Sequence, residues 1–169
     1  MKAWVITAIL LINIILQSTL LPFVQIAGVK PDTLIILVVS FALLAGSVTG
    51  ALVGFFGGLI QDVLYGGSLG TNAFQYMIIG FVIGLVFNKV FVGKIILPVF
   101  FIFCGTLLRG FMMLVYLFFI RADIPFKYGF TVVILPEAIY TIVLAPLIFY
   151  GLSLLYQKRF MNMNSHFIN

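Results

Sequence analysis

Apolar residues run along this chain almost without interruption, and nowhere do they alternate with polar ones at a period of two. Nearly every window of twenty residues is apolar, which is the length of helix that crosses a bilayer. In hydrocarbon each backbone N–H and C=O must be paired within its own segment or around a closed barrel. Barrel strands would alternate lipid-facing and lumen-facing residues, and that pattern is missing. The reading is an all-α integral membrane protein with six transmembrane helices, near 4–21, 33–47, 49–65, 73–87, 95–120 and 131–156. Only Gly-Ser-Val-Thr-Gly parts the second from the third, so one long broken segment or a re-entrant pair stays open there. Residues 1–156 form a single membrane domain, and 157–169 a polar tail expected in the cytoplasm.

Composition removes the aqueous alternatives. Of 169 residues, 64% are hydrophobic and 8% charged, and the mean hydropathy is +1.31. Soluble domains carry about 25% charged residues, so no water-facing surface could be built from this inventory. The net charge of +5 fits topology and anionic-lipid contact, not nucleic acid. Placing the N-terminus inside gives Lys2, Lys89, Lys94, Lys158 and Arg159 to the cytoplasm. Lys30, Arg121 and Lys127 then lie outside with Asp32 and Asp123, an imbalance that favours both termini in the cytoplasm. The segment after Lys2 is long enough to span and ends in no small-x-small cleavage site.

Glycine is poor in a helix interior, about 1 kcal/mol worse than alanine, yet Gly46, Gly50, Gly54 and Gly58 recur every fourth residue. Positions i and i+4 lie nearly one above the other, and each such step over-rotates by about 40°. The result is a gently winding stripe without side chains, widened by Gly57. Where lipid is as apolar as leucine, small-xxx-small stripes let helix backbones approach closely. Two uses stay open: packing within the bundle, or docking a partner's transmembrane helix. Gly80 and Gly84 give the fourth helix a second such pair.

Asp62 is the next term of the series. A carboxylate near a helix C-terminus opposes the macrodipole, and burial adds to the cost, so it must find donors. The turn containing Gly66, Gly67, Ser68 and Gly70 can fold its N–H groups into an anion nest, and the fourth helix starts nearby. Asp62 either staples this turn or serves a salt bridge or ligand. Arg109 and Glu137 both fall roughly 12–18 Å below the outer boundary at 1.5 Å per residue. They are expected to pair, with Glu137 projecting where Pro136 disturbs the helix; a substrate or proton site is the alternative. Asn13 and Gln17, four apart, share one face of the first helix and can hydrogen-bond across the bundle. Cys104 is expected to be a small buried hydrophobe, and His166 belongs to the tail. One histidine, one cysteine and four acids cannot assemble a His/Cys metal cluster, so neither metal nor other cofactor is expected, nor any catalytic residue.

Pro31, the apolar helix after it, Gly50-x3-Gly54-x2-Gly57-Gly58-Leu59-x2-Asp62, and Leu69-Gly70-x2-Ala73 together resemble the rod shape-determining protein MreD family. The specific match covers residues 31–84, while length and span number agree along the whole chain. The resemblance implies a non-enzymatic membrane subunit of the bacterial cell-elongation machinery, supporting peptidoglycan synthesis. Its implied partners are the single transmembrane helix of MreC, MreB filaments, and RodA with its transpeptidase. It also implies a bundle similar to the substrate-binding subunits of energy-coupling-factor transporters. A vitamin-binding transporter subunit is therefore the rival reading, with Tyr65, Asn72, Gln75 and Tyr76 as convergent polar groups. Against it, Ala3 and Ala8 are five apart, so the Ala-x3-Ala docking face typical of those subunits is missing.

Overall fold

A computed structural model describes residues 3–19, 23, 25, 28–65, 68–86, 96–120 and 129–157. The described residues form six α-helices: α1 (Ala3–Thr19), α2 (Thr33–Ala45), α3 (Ser47–Tyr65), α4 (Thr71–Val86), α5 (Ile96–Phe119) and α6 (Leu135–Gln157). A π-helical stretch, Gly129–Ile134, leads directly into α6. The chain is thus an all-helical bundle of a kind consistent with a membrane protein. Gly66, Gly67, the basic residues assigned to the cytoplasm, Arg121, Asp123, Lys127 and residues 158–169 of the tail lie outside the described residues, while Gln157 ends α6.

The centre of the bundle is α2. Its sequence, TLIILVVSFALLA, has no polar face, and a helix apolar all round belongs in a core. Every residue from Thr33 to Leu43 is buried, and α2 touches each of the other five helices. Asp32 starts it by accepting the N–H groups of Leu34 and Ile35, each at 3.1 Å, which satisfies two of the orphan donors at a helix N-terminus.

Gly46 ends α2, which corrects its assignment to the glycine stripe. Its φ is +95° and a Cβ there would meet nothing within 4 Å. Its N–H donates to the Ala42 carbonyl at 3.2 Å while its own carbonyl accepts from Gly50 at 3.0 Å. One residue therefore closes α2 and opens α3, a left-handed backbone that glycine adopts without steric cost. The second and third helices are separate elements folded against each other.

Length divides the helices further. Ser47–Tyr65, Ile96–Phe119 and Gly129–Tyr156 are long and apolar enough to cross a membrane alone, whereas α1, α2 and α4 are shorter. With 13 residues, α2 extends only about 20 Å against a hydrocarbon thickness of about 30 Å. Enclosed on all sides by protein, it has no lipid thickness to match.

Candidate functional site

Two arrangements hold the residues singled out in the sequence: a seam between α3 and α4, and a polar cluster at one end of the bundle. In the seam the helices run antiparallel, and small residues on one meet backbone on the other. Gly50 lies against Gly80, Gly54 against the Tyr76 carbonyl, Gly58 against Ala73, and Gly84 against Ser47. A Cβ at Gly58 would sit 2.6 Å from both the N and Cα of Ala73, and one at Gly50 would sit 2.5 Å from the Ala42 Cβ. At Gly54, Gly80 and Gly84 it would fall on the opposing main chain. Backbone cannot swing aside, so any side chain here must part the helices. Gly57 points elsewhere, towards the side chains of Leu34 in α2 and Leu10 in α1.

The seam is therefore filled within the chain. This corrects the idea that its glycines form a groove open to a partner's helix. The reason lies in α4, whose own Gly80 and Gly84 complement the stripe at matching steps.

At the seam's end Asp62 is 1% exposed and accepts three backbone N–H groups. Its Oδ2 takes those of Gly70 at 2.9 Å and Ala73 at 3.2 Å, and its Oδ1 that of Asn72 at 3.2 Å. The carboxylate thus caps the N-terminus of α4, where a negative charge is favoured. Gly70 makes the turn possible with φ at +93°.

Arg109 of α5 donates from Nη1 to Glu137 Oε1 of α6 at 2.7 Å. The same nitrogen lies 3.3 Å from Asp32 Oδ2, and Asp32 also accepts from the Tyr76 hydroxyl at 2.6 Å. The guanidinium lies over the Tyr76 ring, 5.1 Å from its centroid. Asp32 donates its own N–H to Thr141 Oγ1 at 3.1 Å, and that hydroxyl donates to the Glu137 carbonyl at 2.7 Å. Four helices, α2, α4, α5 and α6, are thereby tied at one point. A second chain of bonds joins α1 to them. Thr33 Oγ1 accepts from Asn13 at 2.8 Å and from Gln17 at 2.9 Å, while Gln61 donates to Gln17 Oε1 at 2.6 Å.

Beside the ion pairs lies a cavity of about 240 Å³, lined by Lys30, Gln61, Tyr65, Asn72 and Tyr76 among others. The polar set of the transporter reading is split by the structure. Tyr65, Asn72 and Tyr76 line this cavity, but Gln75 lines a different groove. Cys104 lies exposed on the surface of α5, where a buried position was expected, because α5 buries only one of its faces.

Asp32 is the main residue that sequence reasoning missed. Counted with the outer-loop charges, it is 5% exposed and sits between Tyr76 and Arg109. Its signal was legible: an Asp directly before a continuous apolar run is an N-cap signature. Gln61 and Thr141 had no such local mark. Chemically, the Asp32 carboxylate faces four donors and Asp62 three, which makes both anchors of helix ends. No group of three or more His, Cys, Asp or Glu residues suited to a metal occurs among the described residues.

In comparison with known families, the model for rod shape-determining protein MreD matches residues 1–159 of the chain. No curated protein and no solved structure matches.

Proposed function

We propose a scaffold function, from the premise that this chain belongs to the MreD family of rod shape-determining proteins. Membership supports a role in determining rod shape as part of a membrane complex. The finer reading is that the bundle is a non-enzymatic docking platform in the bacterial inner membrane, with both termini cytoplasmic. It gathers the single span of MreC and so fixes that partner's position relative to MreB filaments, RodA and its transpeptidase. The observation carrying this reading is how the charged and small residues are spent. Asp32, Asp62, Arg109 and Glu137 bind one another or helix ends, and the glycines bind α3 to α4. Such a network yields a rigid body, which is what a platform requires.

The 240 Å³ polar cavity favours a second reading, a vitamin-binding membrane subunit similar to those of energy-coupling-factor transporters. Depletion separates the two. Cells that round up as the protein is lost support the scaffold; cells that stay rod-shaped but require an added vitamin support the transporter.

A further inference from the structure

The polar cavity of about 240 Å³ differs in charge between its depth and its mouth. Inside, one cation, Arg109, meets two carboxylates, Asp32 and Glu137, which leaves one negative charge over. Lys30, which lines the same cavity, is exposed. Its ammonium lies over the Tyr65 ring, 4.4 Å from the centroid. Among the described residues it forms no ion pair with a carboxylate. The cavity is therefore neutral in sum but polarised, negative within and positive at its mouth.

Two groups here keep unused capacity. Arg109 takes only Oε1 of Glu137. Oε2 has no hydrogen bond among the described residues, yet it is not an atom the chain encloses, so it stays open to an incoming donor. Lys30 Nζ carries three donors, and a ring face covers only one side of it. Charged groups inside a membrane bundle are costly, and those not fully paired mark ligand or ion sites. The groove of about 590 Å³ between α4 and α5 is the contrast, with Leu69, Phe74, Phe111 and Val115 in its walls. Lipid tails cover such walls as readily as protein does.

We infer that the polar cavity binds a zwitterion that leads with a primary ammonium and trails an oxyanion, the chemistry of a phosphoethanolamine group. The ammonium donates to Glu137 Oε2, and the oxyanion pairs with Lys30. A net anion or a net cation gains one of these contacts and meets repulsion at the other; a zwitterion gains both. The volume is below the range of about 300–1,000 Å³ that holds drug-sized ligands, so a small polar group fits and a large ring system does not. This goes beyond the scaffold reading, which requires no ligand, and rests on neither that reading nor the transporter one. A lipid headgroup and a soluble molecule can both supply the group.

The test is calorimetric titration of glycerophosphoethanolamine into the full chain in phosphatidylcholine nanodiscs. Binding should be at least tenfold tighter than that of glycerol 3-phosphate, which lacks the ammonium, or of ethanolamine, which lacks the oxyanion. Glycerophosphocholine should also bind at least tenfold more weakly, because its quaternary ammonium has no N–H to give. Lys30→Ala, at an exposed position, should weaken binding at least tenfold. Glu137→Gln keeps an oxygen for Arg109 but replaces the open one, and should do the same in a chain whose melting shows it folded. Phosphatidylethanolamine added to the nanodiscs separates the sources. A Kd raised at least tenfold by competition assigns the site to a lipid headgroup, and an unchanged Kd assigns it to a soluble zwitterion. Equal binding of glycerol 3-phosphate, binding unchanged by Lys30→Ala, or no binding of any probe would overturn the site. The scaffold reading would stand untouched, since depletion decides it separately.

Discussion

The two flanks of α4 make opposite use of one helix. Towards α3 it presents Ala73, the main chain at Tyr76, Gly80 and Gly84, and the two backbones meet directly. Towards α5 it presents Phe74 and Gln75, and a gap remains. The difference teaches that small residues do not by themselves mark a surface for partners. A bare stripe facing another bare stripe is consumed in folding, whereas bulky side chains hold a neighbour off and leave a cleft.

The largest effect should follow from closing the seam to side chains. Gly54→Leu and Gly58→Leu drive a side chain into opposing backbone, and overpacking of this kind costs about 1–3 kcal/mol or more. Loss of the folded monomer in detergent, read by fluorescence-detected size exclusion, is the expected outcome for both. Gly57→Ala should be milder, since its Cβ meets the movable Leu34 side chain. Equal behaviour of all three would refute the distinction between backbone and side-chain neighbours.

Next come the ion pairs. Arg109→Gln leaves the buried Asp32 and part-buried Glu137 carboxylates without their cation, a change that costs about 1.5–3 kcal/mol for lost hydrogen bonds to charged groups. The double exchange Arg109→Glu with Glu137→Arg should recover little, because a glutamate at 109 then faces Asp32. Adding Asp32→Asn removes that repulsion while keeping a helix cap. Thermal midpoints of the single, double and triple variants decide it; full recovery in the double variant would show that Asp32 does not share the guanidinium.

Asp62 should separate hydrogen bonding from charge. Asp62→Leu strands three N–H groups at about 1–3 kcal/mol for a buried donor left unpaired. Asp62→Asn keeps one acceptor oxygen and can strand as few as one N–H, so it should lose one such share, about 1–3 kcal/mol, and not three. Denaturation of the two variants side by side checks the order. The smallest effect belongs to Gly46→Ala, which meets open space and suffers only from its left-handed backbone, about 1–2 kcal/mol.

Several features were readable before any coordinates. Four-residue glycine spacing marks a helix face bared for close approach, and Asp62 beside a glycine-rich turn points to backbone donors. Arg109 and Glu137 each lie too deep in apolar sequence to stand alone. What stayed hidden was who occupies the seam. Gly80 and Gly84 were noted as a pair of their own, but nothing local says that their register matches Gly50 and Ser47. Gly46 kept the periodicity of the stripe while belonging to a helix break, since periodicity counts residues and is blind to φ. Asp32 shows the same limit: a cap is a local property, while its bonds to Tyr76 and Arg109 span distant parts of the chain.

Composition and hydrophobic patterning alone determined that this protein is helical and built for a bilayer, because unpaired backbone in hydrocarbon is too costly for other forms. They also determined that its few charges must be paired or capped. Only the tertiary structure decided that α2 is the enclosed centre, that the glycine seam is closed from within, and that a groove stays open between α4 and α5. Those outcomes depend on which helices become neighbours, and that choice is made by contacts between residues far apart in the chain.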